Sequence, residues 1–115
     1  MAKLPHLDAV IITEEKVKHY LLNLSHPTGR GKAIFFLRFG FDPDQWEVLA
    51  AALRQQASAC EVVKIDETPF GKRYVIEGPL DTPDFRRPSV RSIWFVESGH
   101  EVPRLVSAYP IEEQG

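Results

Sequence analysis

The chain has 115 residues, enough to build one hydrophobic core and too few to divide into two, so a single domain over residues 1–115 is expected. Apolar residues make up 43% and charged residues 26%, ordinary globular values that exclude a disordered or fibrous chain. A formal net charge of -2 excludes a broad nucleic-acid footprint while leaving room for a small basic site on one face.

The first half reads as helix. Thr13 is a good N-cap, followed by Glu14 and Glu15 where carboxylates favour the helix dipole. Val17, Tyr20, Leu21 and Leu24 then recur at helical spacing as one apolar stripe, which Ser25-His26-Pro27-Thr28-Gly29 breaks. A second helix begins between Arg30 and Lys32 and runs to Phe39, with Gly40 as its left-handed stop. Its apolar residues lie almost all round, which predicts the most buried helix of the fold. Asp42-Pro43-Asp44-Gln45 opens a third helix with an N-cap, a proline at the first helical position and a glutamine completing a capping box. Trp46, Leu49, Ala50, Leu53 and Ala57 form its core face.

From Cys60, read as a small buried residue, the period changes to two. Strands are expected over 61–66, 72–77, 89–97 and 104–109, with a short one over 9–12. The segment Gly78 to Pro88 is a long loop with three prolines, two aspartates and two arginines. Helices followed by hairpin-connected strands predict an α+β fold, about three N-terminal helices packed on one face of a C-terminal antiparallel sheet of about four strands. Ser92, Trp94 and Val96 would face one side of that sheet, Arg91, Ile93 and Phe95 the other.

No apolar run approaches the roughly 20 residues a membrane helix needs, and the opening Met1-Ala2-Lys3-Leu4-Pro5-His6 is not a signal peptide. One cysteine and four scattered histidines offer no metal-ligand spacing. The expectation is a cytoplasmic protein with no membrane, metal or cofactor requirement. Two clusters could carry chemistry. His26-Pro27-Thr28-Gly29-Arg30-Gly31-Lys32 gathers an imidazole and two cations around glycines at a helix mouth, a candidate anion site that lacks the spacing of a phosphate-binding P-loop. Arg91, Arg104, Ser107 and Tyr109 lie on strands, where hydroxyls and arginines on one open face suit a phosphate. Either cluster could equally be a solvated surface.

The residues Leu21-Leu22-Asn23, His26-Pro27, Gly29-Arg30, Lys32-Ala33, Phe35-Phe36, Gly40-Phe41, Pro69-Phe70-Gly71, Arg73-Tyr74, Arg91-Ser92-Ile93-Trp94 and Pro103 to Pro110 resemble a small bacterial domain family of unassigned function. Its members are stand-alone proteins, some labelled adhesins, and tails of phage-head-type and polymorphic-toxin proteins. A broader likeness, in a His/Lys element after the first helix and a closing strand ending Ser-x-Tyr-Pro, is to the barnase–EndoU–colicin–RelE ribonuclease superfamily.

The likeness implies a metal-independent endoribonuclease toxin of a toxin–antitoxin or related conflict system, cleaving RNA by 2′-hydroxyl attack on the adjacent phosphate. It implies His26, Lys32, Arg91, Ser107 and Tyr109 as catalytic residues, with Arg30, Arg73, Tyr74 and Arg104 binding the RNA substrate. It also implies a cognate antitoxin or immunity protein as partner. The alternative is a non-catalytic protein- or anion-binding module derived from such a fold. The two readings part on whether the helix-mouth and sheet clusters meet around one phosphate.

Overall fold

The computed structural model describes residues 3–111; the opening Met1-Ala2 pair, read above for a leader, lies outside them. Thr13 caps α1 (Glu14–Lys16), its hydroxyl accepting the Lys16 N–H at 3.1 Å. The helix then widens at once into a π turn over Val17–Leu21. That change of pitch alters the expected stripe: Val17 and Leu21 are fully buried, Tyr20 is half-buried, and Leu24 lies beyond the helix, 50% exposed.

The second helix, α2 (Arg30–Arg38), ends at Gly40 with φ 100°, as its sequence predicts. It is not the most buried helix. Only Ala33 and Phe36 are buried along it, and Ile34 is 41% exposed, because a helix apolar all round still meets the core on one side here. The central helix is α3 (Trp46–Ala59), which buries Leu49, Ala50, Ala52, Leu53, Gln56 and Ala57. Its start also differs from the expected capping box. Asp42 caps a short 3-10 turn, Pro43–Gln45, by accepting the Asp44 N–H at 2.8 Å, and Gln45 precedes α3 without a side-chain cap.

The strands β1 (Val62–Thr68), β2 (Gly71–Pro79), β3 (Ser89–Glu97) and β4 (Arg104–Pro110) form one antiparallel sheet in the order β1-β2-β3-β4. With the preceding helices they make the expected α+β fold. The anticipated strand over 9–12 is reduced to a single parallel bridge between Ile11 and Arg104. Ile76, Val90 and Trp94 bury into the helices, while Arg73, Val75, Glu77, Arg91 and Ile93 occupy the opposite face by the alternation of the pleat. A register shift in β4 inserts one extra residue, so Ser107 pairs with Ile93 and Leu105 with Trp94. Leu105 and Ala108 are therefore both buried, and Ser107 and Tyr109 belong to the open face.

The loop after β2 is pinned by its own charges. Asp84 accepts from Thr82 and Arg86, Asp81 accepts from Arg87, and the Arg86 guanidinium lies 4.1 Å from the centre of the Phe39 ring. Cys60 is half-buried rather than buried; its sulfur lies against Gly78, where an added Cβ would be only 2.4 Å from it. No helix among the described residues is long and apolar enough to cross a membrane.

Two polar side chains, Gln56 and Ser92, are linked in the core. Gln56 is 2% exposed, and its amide nitrogen donates to the carbonyls of Gly78 at 3.0 Å and Val90 at 2.8 Å. Its amide oxygen accepts from the Ser92 hydroxyl, whose oxygen accepts in turn from the Trp94 indole. Replacing Gln56 by leucine removes the partner of two buried carbonyls and a hydroxyl at once. Gln56→Leu should cost about 2–4 kcal/mol in urea-induced unfolding; a loss below about 0.5 kcal/mol would mean that the network is dispensable.

Candidate functional site

The His26–Lys32 turn is organised by His26 itself. Its Nδ1 accepts the backbone N–H groups of Thr28 at 3.1 Å and Gly29 at 3.0 Å, and the Arg30 N–H bonds to its carbonyl. The imidazole thus ties down the turn that leads into α2, which has no side-chain cap of its own, and those two amides are not offered to an anion. With two amide donors on Nδ1, the neutral ring takes the tautomer that carries its proton on Nε2.

The two glycines of the turn have different duties. A Cβ on Gly29 would lie 2.5 Å from the Tyr20 carbonyl oxygen and 2.9 Å from its ring, so only glycine lets Tyr20 sit where it does. A Cβ on Gly31 would meet nothing within 4 Å. Tyr20 is thereby pressed edge-on against the His26 ring, with centroids 4.8 Å apart.

Tyr20 is the centre of the cluster. The Lys32 ammonium donates to its oxygen at 2.6 Å, the Ser107 hydroxyl lies 3.5 Å away, and the Lys16 ammonium stands 4.8 Å from its ring centre. Burial pushes the Tyr20 phenol up. The hydrogen bonds from Lys32 and Ser107, with the charges of Lys32 and Lys16, outweigh it and hold the phenol below its ordinary range.

Lys32 also stands 6.0 Å from the centre of the Tyr109 ring, over which the Arg91 guanidinium lies at 5.6 Å. Arg91 donates to Glu77 at 2.6 Å. Its hydrogen bonds with Tyr109 and Glu77 raise its already high pKa, so its charge is permanent.

The helix mouth and the sheet therefore meet: His26, Lys32, Ser107, Tyr109 and Arg91 form one continuous set of contacts through Tyr20. A depression of about 660 Å³ lined by Lys16, His19, Tyr20, His26 and Ser107 opens on one side of it. Another of about 470 Å³, lined by Lys64, Arg73, Glu77, Arg91 and Tyr109, opens on the other. Among the described residues Lys32 takes part in no ion pair.

The remaining sequence candidates are placed differently. Arg30 is exposed at the first position of α2. Arg73 is paired with Asp66 and Arg104 with Glu97, both at 3.1 Å. Tyr74 is on the helix side of the sheet, packed against the core and away from the open face. Among the described residues no group of three or more His, Cys, Asp or Glu side chains is placed to hold a metal ion. Tyr20 itself was legible only as part of an apolar stripe; the sole hint of another duty was its phenol beside Lys16.

A family model described as a domain of unknown function (DUF6883) matches residues 3–112. No curated protein matches the chain. Among solved structures, a chain of a contact-dependent growth inhibition toxin–immunity protein complex from Klebsiella pneumoniae 342 superposes with a TM-score of 0.73 at 16% identity, covering 93% of this chain and 97% of that one. At that identity the likeness is one of fold.

The glycine contrast is directly testable by thermal unfolding. Gly29→Ala should destabilise by about 1–3 kcal/mol through overpacking against Tyr20. Gly31→Ala should stabilise by about 0.5–1 kcal/mol, since an alanine there gains helix propensity and meets no neighbour. Equal responses to the two substitutions would refute the assigned roles.

Proposed function

The chain belongs to the DUF6883 family, and we propose that it is a metal-independent endoribonuclease acting as a toxin in a toxin–antitoxin or related conflict system. The observation that carries this reading is one cationic centre: the Lys32 ammonium on the Tyr20 oxygen, with the Ser107 hydroxyl and the Tyr109 ring beside it. RNA cleavage by its own 2′-hydroxyl needs a base for that proton, an acid for the departing 5′-oxygen, and cations on the charge that develops at phosphorus. In this reading Lys32 supplies the cation and Ser107 a hydroxyl donor. The Nε2–H of His26, aimed by the two amides on Nδ1, is a further donor. Arg91 and Tyr109 act together from the sheet.

Arg30 is free to approach the RNA backbone, whereas Arg73 and Arg104 would have to exchange Asp66 and Glu97 for phosphate. The fold likeness to a chain of a toxin–immunity complex supports the conflict-system role and a cognate protein partner. Such a partner would cover Lys32 with acidic side chains. RNA as substrate sets the place of action in the cytoplasm.

The arginine pairing gives weight to a second reading, a non-catalytic binding module of the same fold. Arg73, Arg91 and Arg104 each already hold a carboxylate, which leaves a small free cationic footprint for a polyanion.

Inducible expression of the wild type beside Lys32→Ala and His26→Ala, with growth and total RNA read together, separates the two. The ribonuclease reading predicts growth arrest and fragments ending in 5′-hydroxyls for the wild type. Cleavage by purified Lys32→Ala should fall about 10²–10³-fold. Intact RNA and normal growth with soluble wild-type protein would overturn it in favour of the binding module.

A further inference from the structure

Resting on the ribonuclease reading above, we propose that Tyr20 is the catalytic residue that takes the 2′-hydroxyl proton, with Lys32 bonded to its oxygen as the group that favours its proton-accepting anion. Four observations meet on this side chain. The Lys32 ammonium, which can only donate, holds the phenolic oxygen at 2.6 Å and favours its anion. The ring cannot turn away, being held between Gly29 and the edge of the His26 imidazole. The oxygen borders the Ser107 hydroxyl, and the ring lines the depression that also holds His26. Lastly, the imidazole that would be the ordinary base has its Nδ1 committed to two amides, so in the neutral ring Nε2 bears a proton and cannot accept one.

The chemistry balances. As the 2′-oxygen bonds to phosphorus its proton passes to the Tyr20 oxygen, and the bond from phosphorus to the 5′-oxygen breaks. The leaving oxygen takes a proton from Tyr109, whose ring lies between Lys32 and Arg91. The products are a 2′,3′-cyclic phosphate and a 5′-hydroxyl, and water returns the two phenols to their starting states. Among the described residues the charged and titratable groups facing Tyr20 are Lys16 from α1, His26 from the turn and Lys32 from α2, with Glu15 and His19 around the same depression and Arg91 beyond Tyr109. The cations nearest the oxygen favour the tyrosinate, in keeping with the lowered phenol.

Tyr20→Phe keeps the ring and removes only the oxygen. With thermal melts confirming a folded protein, it should lower RNA cleavage about 10²–10⁴-fold and abolish the rise of rate with pH. In the wild type, the phenol titrating first by ultraviolet absorbance should be the one that Tyr20→Phe deletes. Lys32→Met should move both that titration and the alkaline limb of the rate profile to higher pH. Wild-type cleavage with an unchanged rate and pH profile in Tyr20→Phe would overturn the role of Tyr20 and leave the ribonuclease reading standing. No cleavage by folded wild-type protein would overturn both.

Discussion

The fold hangs on one amide. Gln56 projects from the central helix into the sheet, where it bonds the carbonyls of Gly78 on β2 and Val90 on β3 and the hydroxyl of Ser92. Apolar packing alone would allow α3 to slide or rotate over a greasy sheet face. A buried amide whose every polar atom finds a partner permits one position only, since any displacement strands several groups without water. With α3 fixed, the helical layer covers one face of the sheet. The candidate site lies where α1, α2 and the turn between them reach the β4 edge of the other.

The distribution of charge follows a similar logic. The chain is slightly acidic overall, and much of its basic character is spent internally: Arg73, Arg86, Arg87, Arg91 and Arg104 each face a carboxylate. Exposed pairs of this kind add little stability. Their larger effect is to flatten the potential over most of the surface. Lys32 is bonded to a phenol, and among the described residues neither it nor Lys16 over the same ring joins an ion pair. Two lysines gathered on one phenol of a nearly neutral protein are a local feature that net charge alone does not convey.

The sequence was most readable where chemistry is local. The cap at Thr13, the stop at Gly40, the four strands and the two faces of β3 all follow from neighbours a few residues apart. It was least readable where one residue alters pitch or register. The π turn over Val17–Leu21 shifts the helical period, and the extra residue in β4 shifts the sheet period; each moves a side chain that the simple repeat misplaces. The prominence of α2 was overstated because its apolar residues say nothing of which sides find neighbours. That the two clusters join was not readable at all. It depends on Tyr20, whose role arises from a glycine nine positions later and from a strand at the far end of the chain.

That separation has a consequence for when the protein can act. The sheet is a meander of consecutive hairpins, each closed by nearby residues, and can form early. The contact between Tyr20 and Ser107 spans 87 positions and forms only after the meander is complete and the first helices have docked on its last strand. A chain still emerging from the ribosome, or drawn unfolded through a narrow passage, thus lacks the folded strand that completes the surroundings of Tyr20. The arrangement around Tyr20 is complete only when β4 has brought Ser107 to it.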